Sequence, residues 1–393
     1  MADKKQKRDF FAHIHAPRVS RYALRVDATW GLGVLLCVLF VILTLTGVLL
    51  AAVFEPAFAS AYDSVWEISD VYPHGRLLRS VHYLAGNGFV IVALLHLLRV
   101  VCAGAYAGER YRNYLYGLTL FVAGFGALAS GYFLPMTEIS YWALVVGLSM
   151  DYIPQVGSFL KGLVMGGQTL GDVTMVRLYV LHVVVLPLMM LGVSSLHLWR
   201  IRKDQGLLKP KGLSEAELEP VSYKAAVTRE LTVFLSACLV LVLAALWFPV
   251  ELEPRPVPAY PPNPVKAAWF FIALQETLSY SVLWGGLLPI VALVVFFVWG
   301  PRFAAPGTGE LAPWRRRLFF GTTVGIVVMY AVFTLAGLYC RGPNWTFVSP
   351  WKTLKQVISV VNPAPKIVRV ENSTDRQIGK GKKERQQNLD ILR

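Results

Sequence analysis

Four histidines stand in two pairs on two long uncharged segments of this 393-residue chain. His82 and His96 are 14 residues apart, which in an α-helix is about 21 Å of rise and nearly four whole turns. His182 and His197 are 15 residues apart, which adds a rotation of roughly 60° that a helix crossing or a local irregularity can absorb. If the two helices face each other, the imidazoles form two pairs at two depths. Paired neutral imidazoles in apolar surroundings are the ligands of bis-histidine haem irons.

Glycines repeat the histidine spacing on the two neighbouring segments. Gly33 and Gly47 are 14 residues apart, and so are Gly117 and Gly131. A residue without a side chain leaves room for a flat, bulky group to approach a helix. The alternative is ordinary packing of small residues between membrane helices. Because the glycines share the histidine period, we expect all four to face a haem.

Arginines lie close to three of the histidines. Arg79 stands one turn before the first histidine, Arg99 one turn after the second, and Arg177 just ahead of the third. Guanidinium groups at a membrane boundary are suitable partners for the two propionates of a haem. The alternative for each is an arginine that ends its span at the interface.

The segments that carry these residues are expected to cross a membrane. The chain is 55% hydrophobic and only 16% charged, values typical of polytopic membrane proteins. A shorter apolar run, Ile139–Met150, predicts an interfacial helix. Seven stretches lack Asp, Glu, Lys and Arg and are long enough to span: Trp30–Phe54, Ser80–Leu98, Asn113–Thr137, Leu178–Trp199, Leu231–Val250, Thr277–Pro301 and Leu318–Cys340.

The distribution of lysine and arginine predicts the orientation. Alternate loops hold 21 of the 38 basic residues and the opposite loops hold six. The positive-inside rule then places the N-terminus in the cytoplasm and the C-terminus in the periplasm of a bacterial cytoplasmic membrane. The net charge of +14 is explained by this topology and a basic tail, so no nucleic-acid partner is expected.

Four regions are predicted along the chain. Residues 1–29 form a cytoplasmic segment, and residues 30–212 contain four spans with all the spaced histidines. Residues 213–345 form a block of three spans, and residues 346–393 form a basic, flexible tail. The four cysteines are isolated, without a C-x-x-C or C-x-x-C-H motif, which argues against a c-type haem, an iron–sulfur cluster or a zinc site in the chain.

Several segments resemble cytochrome b of the cytochrome bc complexes, over roughly residues 12–350. The 15-residue interval and the seven spans resemble the chloroplast-type split cytochrome b with its small following subunit, here joined in one chain. The C-terminal motifs Asn263-Pro-Val-Lys-Ala-Ala-Trp269 and Arg341-Gly-Pro-Asn-Trp345 resemble fused bacterial versions that typically use menaquinol. The other matching segments are Arg79 to Arg99, Gly131-Tyr-Phe-Leu-Pro135, Ser140-Tyr-Trp142, Arg177-Leu-Tyr-Val-Leu-His182 with Pro187, and His197-Leu-Trp-Arg-Ile-Arg-Lys203.

The resemblance implies an all-α polytopic protein, with a four-helix dihaem bundle followed by three further transmembrane helices. His82 and His182 would bind a haem b near the outer face, and His96 and His197 a second near the cytoplasmic face. Quinol would be oxidised near the outer haem. One electron would leave to a Rieske-type iron–sulfur protein and a cytochrome c subunit, and the other would cross to a quinone inside, which is the proton-translocating Q cycle. A homodimer within a multi-subunit complex is expected by the same likeness.

The resemblance also places the outer quinol site, between the short helix around Glu138–Gly147 and the loop from Pro254 to Glu276. Its expected residues include Tyr141, Trp142 and Trp269. The family motif Pro-Glu-Trp-Tyr, however, is here Ala267-Ala-Trp-Phe270, so the glutamate that would accept a quinol proton is missing at position 268.

We hypothesise that another carboxylate replaces the missing one. Glu276 follows Trp269 by seven residues, which is two helical turns on one face. Glu138 lies in the opposite wall of the expected site. The alternative is that each carboxylate caps or borders its own helix.

Other functions were weighed against this one. No covalently attached haem is expected, because the position equivalent to its cysteine is Gly31 and Cys37 lies elsewhere in the span. The main alternative is a dihaem membrane anchor that conducts electrons between the quinone pool and a different redox module, without an outer-site reaction. A transporter is disfavoured, because no charged residue lies inside the seven spans.

Overall fold

The uncharged stretches form helices because, in lipid, each backbone N–H and C=O must find its partner within its own segment. The computed structural model describes residues 18–148, 157–166, 169–204, 206–208, 213–305 and 313–351. In chain order the main elements are β1 (Arg18–Ser20), α1 (Leu32–Ala51), α2 (Ala61–Asp70), α3 (Gly75–Ala103), α4 (Tyr111–Phe133), α5 (Glu138–Gly147), α6 (Gly157–Met165), α7 (Asp172–Lys203), β2 (Pro220–Ser222), α8 (Tyr223–Trp247), α9 (Trp269–Leu278), α10 (Val282–Ala304) and α11 (Pro313–Tyr339).

Seven helices of the described residues are long and apolar enough to cross a membrane: α1, α3, α4, α7, α8, α10 and α11. They correspond to the seven predicted spans. Large apolar side chains on their outer faces are widely exposed, as at Leu45 (58%), Val122 (62%) and Leu239 (60%), which suits a lipid surrounding. The predicted class is therefore confirmed: the chain is an all-α, polytopic integral membrane protein.

Two predicted boundaries can be compared with the helices. The interfacial run Ile139–Met150 corresponds to α5. The sixth span begins at Val282 rather than at Thr277, because Thr277 still belongs to α9. Ser281 separates the two helices, and its Oγ accepts a hydrogen bond of 3.2 Å from the N–H of Trp284. Such a serine is a strong helix start signal.

The first four spans form two packed pairs, α1 with α3 and α4 with the second part of α7. A buried apolar core lies among these helices and α8. Its buried residues are Val38, Leu39, Ile42, Val81, Ala85, Phe89, Val90, Ala93, Ala123, Leu186, Met190 and Ala245. This core lies between the two depths at which the histidines stand.

A π-helical turn at Leu181–Val185 interrupts α7 at His182. The N–H of Leu186 bonds to the carbonyl of Leu181, five residues back, instead of four. Pro187 follows, and a proline lacks an N–H and collides with the carbonyl four residues before it. The turn accommodates one extra residue, so the 15-residue interval of α7 behaves like the 14-residue interval of α3. This is the local irregularity that the spacing required.

Short helices cover the end of the bundle where His82 and His182 lie, called here the α5 end. The N–H of Glu138 in α5 donates to the carbonyl of Pro254, 2.8 Å away, which ties α5 to the loop before α9. Rings of Phe133 and Phe271 stack at 5.8 Å and hold α9 on α4. At the opposite end, β1 and β2 pair antiparallel as a small two-stranded sheet.

The last three spans pack against the first four. Helix α8 contacts α1 and α3, and α9 packs on α11. Hydroxyls of Tyr111 and Tyr114 in α4 donate to carbonyls of α10, those of Val298 (2.7 Å) and Phe297 (3.0 Å). Residues 1–17 of the predicted N-terminal segment and 352–393 of the predicted tail lie outside the described residues.

Candidate cofactor site

His82 of α3 and His182 of α7 face each other at the α5 end, with ring centroids 6.2 Å apart. Both rings are bonded at Nδ1 to a neighbouring helix. The His82 Nδ1–H donates to Thr46 Oγ1 over 2.9 Å, and Thr46 can accept because its own hydroxyl donates to the carbonyl of Ile42. The His182 Nδ1–H donates to the carbonyl of Ala127 over 3.0 Å. These bonds select the tautomer that leaves Nε2 free for a metal.

The second histidine pair is held less completely. The His197 Nδ1–H donates to the carbonyl of Asn113 over 3.1 Å. His96 Nδ1 is buried and has no hydrogen-bond partner among the residues that the structure describes. In α4 the accepting residues Asn113 and Ala127 are 14 apart, so one helix holds one histidine of each pair by the same contact. The missing fourth contact distinguishes His96 from the other three.

The four predicted glycines each face one of the four histidines. A side-chain carbon at Gly47 or Gly131 would lie 3.2 or 2.5 Å from an imidazole Cε1 at the α5 end. At Gly33 or Gly117 it would lie 3.7 or 3.4 Å from an imidazole Cε1 at the opposite end. An alanine methyl group would be most crowded at Gly131, where its carbon would lie closest to an imidazole. Each depth therefore has two imidazoles and two bare helix surfaces, which is a donor set and a shape that fit a b-type haem.

A cavity of about 310 Å³ lies at the α5 end between α1, α3, α4 and α7. Its wall is mainly apolar and includes Gly47, Gly131 and both histidines of that pair. The other polar or ionisable side chains in the wall are those of Thr44, Arg79, Tyr83, Tyr132, Thr137, Tyr179, Glu251 and Glu253. An apolar cavity with few convergent polar groups is the usual form of a ligand site.

The three predicted arginines have different surroundings. Arg79 borders the cavity, and one of its Nη atoms donates to the carbonyl of Val250. Within the described part of the chain, its buried Nε has no hydrogen-bond partner. An unused guanidinium donor at the cavity wall suits a propionate. Arg99 donates to the carbonyl of Ala28 over 3.1 Å, and Arg177 donates to carbonyls of the α6 helix. Neither of these two lines the cavity.

The predicted aromatic residues of the quinol site surround the cavity without lining it. Rings of Tyr141 and Trp142 on α5 lie 5.2 Å apart, and the buried Trp142 Nε1 has no hydrogen-bond partner in the described ranges. Trp269 begins α9, and its Nε1 donates to Asn87 Oδ1 of α3 over 2.6 Å. From this motif, only Phe270 reaches the cavity wall.

Glu276 lies on α9 but is turned away from the cavity. Its side chain is only 2% exposed and forms an ion pair with Arg341. The Trp345 Nε1 donates to Oε2 over 2.9 Å, and the Tyr280 hydroxyl donates to Oε1 over 3.0 Å. Burial alone would raise the pKa of Glu276, but the hydrogen bonds from Arg341, Tyr280 and Trp345 outweigh it and leave the pKa below its usual range. These contacts engage both of its oxygens.

Glu138 is the first residue of α5, and the contact recorded for it is made by its backbone N–H. It does not line the cavity either. The two carboxylates that do are Glu251 and Glu253, in the loop after α8. Sequence reasoning overlooked both, since no motif marks them and the loop position depends on contacts with α2 and α5. Their only signal is that they follow the fifth span directly.

Comparison with known proteins agrees with this geometry. Residues 87–260 match the family described as Cytochrome b(N-terminal)/b6/petB. A cytochrome b6 of Heliobacterium modesticaldum is 36% identical over 193 residues, which are 49% of this chain and 89% of that protein. A cytochrome bc complex cytochrome b subunit of Chlorobaculum thiosulfatiphilum is 29% identical over 314 residues, 79% of this chain and 72% of its own length.

Among solved structures, a chain of a hyperthermophilic respiratory Complex III is similar in fold. The TM-score is 0.69 at 21% identity, and the match covers 91% of this chain and 93% of that one. The fold and the family match define an all-α integral membrane protein of the electron-transport class, in which cytochrome b proteins bind haem b. The chain belongs to the cytochrome b/b6 family, as its sequence motifs predicted.

Proposed function

We propose that this chain is the cytochrome b subunit of a bc-type quinol oxidoreductase. The observation that carries the proposal is the double arrangement of paired histidines and facing glycines, with a ligand-sized cavity at one of the two depths. The likeness to bc-complex cytochrome b over most of the chain supports the same assignment.

His82 and His182 would hold one haem b, and His96 and His197 the other. Each haem, when bound, supplies reversible one-electron transfer through its iron. The protein contributes the imidazole orientation through the Nδ1 bonds, an apolar surrounding, and Arg79 as a propionate partner. Two such sites about 21 Å apart along α3 provide an electron path through most of a membrane.

The α5 end would be the quinol-oxidising side. The haem would fill the part of the cavity between His82 and His182. The quinone ring would lie beside it, against Phe270 and Glu253 in the same wall. Tyr141 and Trp142 on α5 and Trp269 on α9 lie outside the cavity wall and would support the quinol site from behind it. Quinol oxidation here and quinone reduction at the opposite end would together move protons outward, as in a Q cycle.

The charge asymmetry of the loops supports the orientation that this function needs. Loops at the α5 end hold six lysines and arginines between α1 and α9, whereas those at the opposite end hold 21. The positive-inside rule then makes the α5 end periplasmic. The quinol site would face the compartment in which a Rieske-type iron–sulfur protein and a cytochrome c could accept its electrons. A homodimer within a multi-subunit complex of the bacterial cytoplasmic membrane completes the proposal.

The second candidate remains the dihaem anchor for another redox module. The observation in its favour is Ala268, where the family glutamate is missing. The two functions differ at one point, because only the first oxidises quinol in the cavity of the α5 end. Inhibition of turnover by quinol analogues that bind there would favour the oxidoreductase.

The haem assignment is tested with the intact complex purified from membranes. We expect two b haems per chain, with two redox transitions in a potentiometric titration. His182→Leu should remove the transition of the α5 end, and His197→Leu the other, because each substitution deletes one axial ligand.

The matched control is His74→Asn. His74 is exposed outside the bundle and has a positive φ of 59°, which asparagine tolerates. It should keep both haems. Unchanged haem content in both His182→Leu and His197→Leu would contradict the assignment.

A further inference from the structure

The quinol site of the proposed function lacks its proton acceptor. Oxidising a hydroquinone breaks two O–H bonds, and a positioned base must receive the proton as the electron leaves. Position 268, where the family carries a glutamate, is alanine. Glu276 is engaged by Arg341, Tyr280 and Trp345, away from the cavity.

Glu253 occupies the position that such a base needs. Its side chain borders the cavity, and the hydroxyl of Thr137 donates to its Oε2 over 2.8 Å. Thr137 is itself buried, 6% exposed, at the start of α5. A carboxylate that accepts one hydrogen bond keeps lone pairs free for a second donor, such as a quinol hydroxyl.

The backbone around Glu253 is fixed from three directions. The Tyr62 hydroxyl of α2 donates to the Glu253 carbonyl over 3.1 Å. The next residue accepts from the Glu138 N–H of α5. Three residues earlier, the Val250 N–H donates to Ser80 Oγ of α3 over 3.0 Å. A carboxylate on a loop anchored in this way is preorganised, as catalysis requires.

A path for the proton to water starts at the same loop. Glu251 also borders the cavity, and its side chain is 75% exposed. Tyr132 lies in the same cavity wall, and its buried hydroxyl is near the backbone of Ala268. The cavity thus has one held carboxylate and a second, exposed one that leads to solvent.

We propose that Glu253 is the catalytic base for quinol oxidation at the α5 end and replaces the glutamate missing at position 268. This proposal rests on the proposed function. A hydroquinone O–H bond breaks and its proton passes to the Glu253 carboxylate. The two electrons would be taken by the one-electron acceptors of the proposed function, the iron–sulfur partner and the haem that His82 and His182 would hold. The second proton would leave with the electron that the iron–sulfur partner takes. The carboxylic acid of Glu253 then releases its proton to the outer water near Glu251.

The test uses the intact complex with a water-soluble hydroquinone and its own or a commercial cytochrome c. Glu253→Gln keeps the size and the hydrogen bond from Thr137 but cannot take a proton. We expect kcat to fall about 100-fold, within the range for removal of a general base, while KM and both haem spectra stay unchanged. Glu253→Asp should recover part of kcat. The matched control Glu67→Gln removes an exposed carboxylate of α2 at the same end and should keep full activity.

A second readout does not depend on turnover. When hydroquinone is added to the complex with its metal centres already reduced, no oxidation can follow, and the infrared difference spectrum should change in the carboxylate stretching region because the hydroquinone hydroxyl donates to Glu253. This change should be missing in Glu253→Gln and present in Glu67→Gln.

The possible failures are distinguishable. If the wild-type complex oxidises no hydroquinone, the proposed function fails, and the role of Glu253 fails with it. If the wild type turns over and Glu253→Gln matches its kcat, only the role of Glu253 is overturned.

Discussion

At the scale of single residues, the two histidine pairs differ in how they are held. Three of the four Nδ1 atoms have an acceptor, namely a hydroxyl on α1 or a carbonyl on α4. His96 lacks one, because Leu32 precedes Gly33 where Thr46 precedes Gly47. Bonds to the outer nitrogen orient a ligand and raise its basicity. The α5-end pair is therefore the better fixed of the two.

The glycines that face the histidines are the second feature at this scale, and a substitution at Gly131 tests whether the haem needs that space. We expect Gly131→Ala to cause loss of the α5-end haem, because its Cβ would lie 2.5 Å from His182 Cε1. The matched control is Gly126→Ala on the same helix, where the new carbon would lie 3.7 Å from Leu186 in ordinary contact. Potentiometric titration should show one transition in the first variant and two in the second. Two redox transitions in Gly131→Ala would contradict the prediction that the haem of the α5 end needs a glycine here.

The sequence predicted the histidines and glycines of the site well, because their spacing identifies them. It predicted the carboxylates of the site poorly. The histidine and glycine periods follow from helix geometry alone, so their pairing could be predicted. Glu276 shares a helix with Trp269 as predicted, but seven residues are about 10 Å along an axis. That distance brings Glu276 to Arg341 and Trp269 to Asn87. Glu253 lies on a loop whose position depends on packing with other elements, and no local pattern encodes that.

At the scale of elements, the π-turn of α7 keeps both histidines in register. The same order of a π-turn followed by a proline occurs in α10, where the π-turn Val282–Leu287 precedes Pro289. In both helices the proline has no N–H to continue the regular ladder. The need for some irregularity could be predicted from the 15-residue interval. Its location next to His182 could not, because a crossing angle would have met the same need.

The π-turn can be tested by deletion. Removing Val184 together with Pro187→Ala should let α7 become regular with a 14-residue interval, so both haems should be retained. Removing Ile91 from α3 should rotate His96 by about 100° relative to His82 and cost at least one haem. The two deleted residues are similarly exposed, 44% and 47%. Haem content per chain measures the outcome, and equal losses in both deletions would contradict the register argument.

At the scale of the whole molecule, a buried ion pair connects two parts of the C-terminal block of three spans. Glu276 of α9 and Arg341 beyond α11 are 2% and 15% exposed in their side chains. Together with Trp345, they join α9, which precedes the sixth span, to the segment after the seventh. Surface ion pairs, such as Arg21 with Glu219 at 59% and 60% exposure, contribute little. The ion pair thus holds α9 in position, and α9 forms one wall of the proposed quinol site.

We therefore expect Arg341→Met to destabilise the protein by about 3 kcal/mol at neutral pH, because it leaves a buried carboxylate without its partner. In the wild type the pKa of Glu276 is lowered, so its stabilisation is complete above the ordinary glutamate pKa of about 4.3 and is lost as the pH falls through the lowered value. In the variant the carboxyl can become neutral at acid pH, so the difference from the wild type should shrink as the pH falls.

The control Arg21→Met should change stability by less than about 1 kcal/mol at every pH. Thermal unfolding in detergent between neutral and acid pH measures both variants, and a difference for Arg341→Met that stays constant with pH would mean that Glu276 is not the group that the arginine stabilises.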